Sequence, residues 1–217
     1  MTDARAFDFG RAPSAGEPSS KNISTVAARA LLEQIRNAAA AGIDWIQIRE
    51  KNLETRALTD LVRLAVAASR ETGTKILVND RLDVALATSA AGVHIGETSL
   101  PVETVAEWRR SAGRAEFLIG ASCHSLEAAQ KVESAGADYI FFGPVFATPS
   151  KAAFGAPQGI ERLREVCRSV RLPVLAIGGI TVENAHSCFA VGAAGVAAIR
   201  VFQESDDMSA LVTRLRA

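Results

Sequence analysis

The sequence has few cysteines and arranges them in no recognisable pair. The three, Cys123, Cys167 and Cys188, are odd in number and far apart in 217 residues, and no Cys-x-x-Cys motif occurs. A disulfide framework needs an even set of cysteines, and a structural zinc site needs closely spaced ligands. The pattern therefore argues against both and favours a reducing, cytoplasmic location.

An excess of charge and a long apolar run are also missing. Lys and Arg number 24, as do Asp and Glu, which leaves no basic surplus for nucleic acid and no acidic tail. No apolar stretch reaches the roughly 18 residues of a membrane span, and the polar start Met1–Arg5 is unlike a secretory signal. We expect a soluble protein that binds neither nucleic acid nor membrane and meets any anionic ligand with local groups.

What is present is enough apolar material for one large core. Hydrophobic residues make up 48% of the chain, and this length is typical of a single domain. Short apolar stretches alternate with Ala- and Leu-rich segments, which is the pattern of parallel strands joined by crossover helices. Strands are predicted at Trp45–Arg49, Lys75–Asn79, Gly92–Gly96, Phe117–Ser122, Tyr139–Val145, Val174–Gly179 and Gly195–Arg200.

Capping residues mark the helix boundaries between these strands. Ser125 and Thr181 are predicted N-caps. Gly42, Gly136 and Gly192 are placed to end helices in the left-handed conformation. Strand-plus-helix units of about 25 residues are the modules of a (β/α)8 barrel. The predicted fold class is therefore α/β, a TIM (β/α)8 barrel.

The eighth strand of such a barrel is hard to find before the first predicted helix. Residues 1–22 are polar and rich in Gly, Pro and Ser, which predicts an arm or loop, with the barrel domain covering residues 23–217. Either Met1–Asp3 is the end of a truncated first strand, or residues near Ala6–Phe9 replace it in an atypical form. A barrel left open here would favour association into a homo-oligomer.

Polar residues follow the predicted strands at their carboxyl ends, where the active sites of these barrels lie. Asp80 is either a ligand for Mg²⁺ or an N-cap for the next helix. The pair Gly178–Gly179 either brings backbone N–H groups to a phosphate or forms only a tight turn. Lys51 and Lys151 are cations suited to a more highly charged group such as a diphosphate.

Among the histidines, His124 is the candidate for proton transfer. It directly follows a predicted strand, and histidine titrates near neutral pH. His94 within a strand and His186 within a helix are interpreted as structural. Cys123 is disfavoured as a nucleophile, since only His124 is nearby in sequence to stabilise a thiolate.

Six strings of the sequence resemble thiamine phosphate synthase and its relative, the thiazole tautomerase. They are, in order, IQIREKNL, LVNDRLDVALATSAAGVHIG, IGASCHSLEAA, AGADYIFFGPVFATPSK, APQGIERLREV and LPVLAIGGIT, and the match runs from about Leu32 to Phe202. The resemblance implies a transferase of thiamine biosynthesis that couples 4-amino-5-hydroxymethyl-2-methylpyrimidine diphosphate to thiazole phosphate, releasing pyrophosphate with Mg²⁺ assistance. Diphosphate would leave first and the thiazole nitrogen would capture a pyrimidine methyl cation, so the protein mainly positions groups and stabilises charge.

The resemblance also implies roles for individual residues. The pyrimidine diphosphate would be held by Gln47, Arg49, Lys51, Asn79, Ser122 and Lys151. The thiazole phosphate would be held by Thr148, Pro149, Ser150, Gly178, Gly179, Ile199 and Arg200. Asp80 would bind magnesium, and the catalytic candidates are Lys151, Ser122 and His124.

Three departures from the synthase pattern bear on function. Ser99 stands where a second magnesium-binding aspartate is expected, so Glu97 or water would have to fill that place. Arg200 replaces a serine, where it would either strengthen phosphate binding or block the site. The usual first strand is represented at most by Met1–Asp3.

These departures leave three functions open, with the synthase favoured. The tautomerase, an isomerase that needs no metal, also lacks the aspartate and has a histidine at the position of His124. The string Thr148–Lys151 instead resembles the synthase. A third alternative is a non-catalytic homologue that binds phosphorylated ligands of the pathway.

Overall fold

The computed structural model describes residues 6–10, 25–148 and 156–216. Eight parallel strands form a closed barrel in which each strand pairs with the next along the chain. They are β1 (Ala6–Gly10), β2 (Trp45–Arg49), β3 (Lys75–Asn79), β4 (Gly92–Ile95), β5 (Leu118–Cys123), β6 (Tyr139–Phe142), β7 (Val174–Ile177) and β8 (Gly195–Ala198). The predicted α/β TIM (β/α)8 barrel is confirmed.

Helices connect the strands and cover the outside of the barrel. They are α1 (Thr25–Ala40), α2 (Thr55–Ser69), α3 (Leu82–Thr88), α4 (Val102–Ser111), α5 (Leu126–Ala135), α6 (Gly159–Ser169), α7 (Val182–Ala190), α8 (Arg200–Gln203) and α9 (Met208–Arg216). The predicted caps form: Ser125 Oγ accepts the backbone N–H of Ala128, and Thr181 forms a capping box with Asn184. Among the described residues no helix is long and apolar enough to cross a membrane.

The hydrophobic residues pack in two layers, one on each side of the sheet. The larger layer lies between the strands and the surrounding helices. The smaller layer fills the barrel interior and consists of Leu77, Tyr139, Phe141, Leu175 and Ala197. Because both faces of the strands β2 to β8 are buried, these strands are apolar along most of their length.

The first strand closes the barrel between β2 and β8. Ala6–Gly10 pairs with Trp45–Arg49, and Ala6 and Phe7 also pair with Ala197 and Ala198. This is the second of the two positions that the sequence allowed, and it lies within the segment predicted to be an arm or loop. Pairing on both edges stabilises a short strand whatever the composition around it. The alternative at Met1–Asp3 lies outside the described residues.

Closure removes the argument on which a homo-oligomer was expected, because β1 occupies the edge that would otherwise be open. β2 and β3 have the predicted bounds, β5 lies one residue later than predicted, and β4, β6, β7 and β8 end earlier than predicted. Residues 143–145 and 178–179, predicted as strand, leave the ladder after β6 and β7 and form loops instead. These loops carry part of the site described next.

Candidate active site

A chain of hydrogen bonds links the carboxyl ends of β2, β3 and β4. Gln47 donates Nε2–H to Asn79 Oδ1 at 2.9 Å, and Asn79 donates Nδ2–H to Asp80 Oδ2 at 2.6 Å. Asp80 Oδ1 accepts the backbone N–H of Gly96 at 2.9 Å and the hydroxyl of Ser99. Polar residues that are distant in sequence therefore meet at one rim, as their positions after parallel strands predict.

The backbone of Asp80 is held in an uncommon conformation. Its φ is +60°, in the left-handed region that non-glycine residues rarely adopt. Its N–H donates to the carbonyl of His94, and its carboxylate turns toward β4. The alternative role of Asp80 as an N-cap is wrong, because α3 has Arg81 at that position and no side-chain cap. Strain of this kind is concentrated at functional sites.

The donors around Asp80 decide how a divalent cation would fit. Oδ1 already accepts two hydrogen bonds and Oδ2 accepts one, which leaves Oδ2 with a lone pair. No group of three or more His, Cys, Asp or Glu within the described ranges could hold a metal ion. Mg²⁺ commonly uses one or two carboxylates together with substrate phosphates and water. The residues therefore fit a magnesium ion shared with a phosphorylated ligand.

Neither residue near the expected second carboxylate replaces it directly. Ser99 uses its hydroxyl to support Asp80. Glu97 Oε1 lies 4.0 Å from His124 Nε2, on the side of β5. The contacts thus leave Asp80 as the carboxylate available to a cation at this rim, within the described part of the chain.

Gln47 has an unusual feature for a buried residue. The residue is only 2% exposed. Its Oε1 is buried and has no hydrogen-bond partner among the described residues. An unsatisfied buried acceptor costs about 1–3 kcal/mol. A ligand that supplies an N–H or O–H donor would remove this cost. Arg49 ends the same strand and Lys51 follows it, exposed to solvent.

Ser122 is held from inside the barrel by His94. The Nε2 atom of His94 lies 2.9 Å from Ser122 Oγ, and the Nδ1 atom lies 3.1 Å from the hydroxyl of Tyr139. Burial lowers the pKa of His94 to about 3, so the imidazole is neutral. The interpretation of His94 as merely structural missed this contact. Its place in β4, in phase with Gly96 at the rim, is the signal that could have indicated it.

His124 has a defined tautomer at the end of β5. Its Nδ1 contacts the carbonyl oxygen of Gly143, which only accepts, so the proton lies on Nδ1. Its Nε2 faces Glu97. The neighbouring Cys123 is buried, and burial followed by the charge of Glu97 raises the pKa of its thiol to about 12. That value agrees with the prediction that Cys123 is no nucleophile.

The glycine pair after β7 is more than a tight turn. Gly178 and Gly179 have φ of +93° and +65°. A Cβ on Gly178 would lie 2.5 Å from a carbon of Pro144, and one on Gly179 would lie 2.6 Å from the carbonyl oxygen of Ala147. Two loops therefore pack backbone against backbone, and Asn184 Nδ2 secures the second by donating to the Gly179 carbonyl at 2.9 Å.

Arg200 reaches across the rim toward the loop after β6. It follows Ile199 at the end of β8 and donates from Nη2 to Thr148 Oγ1 at 3.4 Å. Thr148 and Arg200, which the resemblance assigns to one phosphate, thus lie together. The other three residues of the string Thr148–Lys151, which are Pro149, Ser150 and Lys151, lie outside the described residues.

Comparison with known proteins places this geometry in a family. Residues 20–202 match the family described as thiamine monophosphate synthase. The thiamine-phosphate synthase of Moorella thermoacetica is 41% identical over 188 residues, which cover 87% of this chain and 88% of that relative. The corresponding protein of Methanoregula boonei is 44% identical over 188 residues, covering 87% of this chain and 85% of the relative.

A solved structure gives the same assignment. The thiamine phosphate pyrophosphorylase from Pyrococcus furiosus superposes with a TM-score of 0.80 at 32% identity, covering 99% of this chain and 95% of that one. A 3-hexulose-6-phosphate synthase, at a TM-score of 0.67 and 15% identity, shares the fold alone. By sequence and by structure, the chain belongs to the thiamine monophosphate synthase family.

Proposed function

We propose that the chain is a thiamine-phosphate synthase, a transferase of thiamine biosynthesis. It couples the aminopyrimidine diphosphate to thiazole phosphate and releases pyrophosphate. The observation that carries the proposal is the hydrogen-bonded chain from Gln47 through Asn79 and Asp80 to Ser99. It presents an unsatisfied acceptor and a carboxylate at one rim, as a ligand with an amino group and a diphosphate requires.

The pyrimidine diphosphate supplies what this rim lacks. Gln47 uses its amide N–H on Asn79, so its Oε1 remains to accept from the 4-amino group of the pyrimidine. Arg49 at the end of the same strand and Lys51 in the loop after it balance the charge of the diphosphate. Ser122 at the end of β5 donates to the leaving group, and Lys151 adds a further cation.

Asp80 would hold Mg²⁺ together with the diphosphate. When bound, the ion would neutralise negative charge that develops on the leaving group. The protein's part is to aim the carboxylate: Gly96 and Ser99 fix Oδ1, and Asn79 orients Oδ2. A single carboxylate makes metal binding dependent on the diphosphate.

The thiazole phosphate is assigned to the opposite side of the rim. Gly178 and Gly179 allow a close approach to backbone N–H groups, and Thr148 and Arg200 supply a hydroxyl and a guanidinium. Ile199, Pro149 and Ser150 complete this proposed subsite. A cytoplasmic location is part of the proposal, because the three cysteines are free thiols.

One observation supports the tautomerase as a second candidate. The Nδ1–H of His124 is engaged by Gly143, so the basic Nε2 is the nitrogen left to exchange a proton near Glu97. This activity would need His124 and no metal.

The test is formation of thiamine phosphate from the two phosphorylated substrates, with and without Mg²⁺. Asp80→Asn keeps a residue that tolerates the left-handed backbone, and we expect it to lower turnover at least about 100-fold by removing the charge. Asp83→Asn is the matched control: Asp83 is exposed and paired with Arg81, and it is not part of the hydrogen-bonded chain from Gln47 to Ser99.

A second pair of variants tests the proposed diphosphate site. Lys151→Ala should abolish coupling, whereas Lys131→Ala on the exposed face of α5 should not. Unchanged coupling in Lys151→Ala would contradict the assignment. His124→Ala should spare coupling. Folded parent protein that isomerises the thiazole but forms no thiamine phosphate would favour the tautomerase.

A further inference from the structure

Three hydrogen-bonding side chains form a line inside the barrel, from its core to its rim. Tyr139 on β6 is fully buried, His94 on β4 is 1% exposed, and Ser122 on β5 is half-buried at the rim. The phenol hydroxyl lies 3.1 Å from Nδ1, and Nε2 lies 2.9 Å from Ser122 Oγ. Both nitrogens of the imidazole are thus engaged by side-chain hydroxyls.

This line of hydrogen bonds requires a glycine on β5. Gly120 stands opposite both His94 and Tyr139 in the sheet, so the tyrosine must cross it to reach β4. A Cβ on Gly120 would lie 2.0 Å from Cζ of the tyrosine ring. Phe141 also packs on the imidazole, with ring centroids 4.3 Å apart. The fold therefore fixes the ring of His94 at its face as well as at both nitrogens.

The side chain of His94 is buried, and both of its nitrogens face neutral hydroxyls and not a carboxylate, which favours the uncharged imidazole. A neutral imidazole has one N–H and one acceptor nitrogen. A phenol is the more acidic of the two hydroxyls and so the better donor. This favours Tyr139 O–H donating to Nδ1, and Nε2–H donating to Ser122 Oγ.

We propose that His94 is a positioning residue that turns Ser122 into a hydrogen-bond donor toward the substrate. With one lone pair of Oγ taken by Nε2–H, the hydroxyl hydrogen points away from the imidazole and toward the rim. No proton is transferred between these groups, and the three side chains only set the direction of each hydrogen bond. The inference rests on the proposed function, in which an anionic leaving group gains charge beside Ser122.

The kinetic test asks whether His94 acts through Ser122. We expect His94→Leu to lower kcat about tenfold, the effect of losing one oriented donor, with little change in KM. His94→Gln, whose amide N–H can replace Nε2–H, should restore much of the loss. In a Ser122→Ala background, His94→Leu should cause no further loss. An equal tenfold loss in both backgrounds would overturn the proposal.

A spectroscopic test needs no turnover. In ¹⁵N spectra, we expect His94 to be one neutral tautomer with its proton on Nε2. Tyr139→Phe removes the donor to Nδ1, so the Nδ1 resonance should shift while the proton stays on Nε2. That variant keeps the aromatic packing, so it remains informative if His94→Leu does not fold. His186→Gln, at an exposed site on α7, assigns its own signal and should leave the others unchanged.

The two tests separate this inference from the proposed function. A parent protein with Nε2–H on His94 but no coupling activity would support the arrangement and contradict the synthase. A proton on Nδ1 of His94 in the parent, or a spectrum that Tyr139→Phe leaves unchanged, would overturn the positioning role.

Discussion

At the scale of single residues, His94 is an ionisable group whose burial opposes folding in acid. Its pKa is about 3 in the folded protein, against 6.5 when unperturbed. Between these values the unfolded chain binds a proton that the folded chain does not. The free energy of unfolding contributed by this site therefore falls as pH drops from about 6.5 toward 3, by about 1.4 kcal/mol per unit.

This predicts a pH dependence that one substitution removes. Between pH 7 and pH 5, the parent should lose about 2 kcal/mol more unfolding free energy than His94→Gln. Urea unfolding at each pH measures it, and the cost of the substitution itself cancels within each protein. His186→Gln, the same substitution at an exposed site on α7, is the matched control. Parallel losses in the parent and His94→Gln would show that His94 is not buried as a neutral group.

The residues of the rim differ in how far the sequence could reveal them. Gln47, Asn79 and Asp80 were predictable, since polar groups that end apolar strands must converge in a parallel barrel. The supporting role of Ser99 was not predictable, because its hydroxyl donates to a carboxylate 19 residues earlier in the chain. The tyrosine contact of His94 spans 45 residues and exists only because Gly120 lacks a side chain.

At the scale of elements, the loops after β6 and β7 act as one unit. Phe146 donates its backbone N–H to the Gly178 carbonyl at 3.0 Å, and Val145 donates to the Ile177 carbonyl at 2.9 Å. The Thr181 capping box then fixes the start of α7 directly after the glycines. Displacing either loop should therefore disturb the proposed thiazole phosphate subsite before it disturbs the pyrimidine side.

Gly179→Ala tests this coupling. We expect the KM for thiazole phosphate to rise at least about tenfold, because the new Cβ would collide with the Ala147 carbonyl. The KM for pyrimidine diphosphate should change little. Gly113→Ala is the matched control: its φ is +61°, but nothing lies within 4 Å of an added Cβ. Both variants lose about 1 kcal/mol or more from backbone strain, and only Gly179→Ala should change binding.

One result of this comparison between Gly179→Ala and Gly113→Ala would contradict the proposed subsite. Equal KM values for thiazole phosphate in the two variants, measured by steady-state kinetics on folded protein, would mean that the packed loops do not bind this substrate.

The carboxyl ends of β6 and β7 show where prediction from sequence was incomplete. Residues 143–145 and 178–179 are apolar enough to predict strand, but their glycines and Pro144 take them out of the ladder.

At the scale of the whole molecule, the barrel is completed by its least strand-like segment. β1 is five residues long and is flanked by polar sequence, so local composition predicts loop. Its pairing with both β2 and β8 is a property of the closed sheet and cannot be seen in the segment alone. The other seven strands were predictable because burial on both faces makes each of them apolar along most of its length.

Removing residues 1–10 should therefore cost more than a terminal truncation ordinarily does. We expect the free energy of unfolding to fall by at least about 3 kcal/mol, since several ladder hydrogen bonds of about 1 kcal/mol each are lost. The exposed edges of β2 and β8 should also promote self-association. Urea unfolding and light scattering coupled to gel filtration measure both effects. A matched truncation of residues 1–4 leaves β1 whole and should keep the parental stability and oligomeric state. If both truncations behaved alike, barrel closure by Ala6–Gly10 would contribute nothing to the fold.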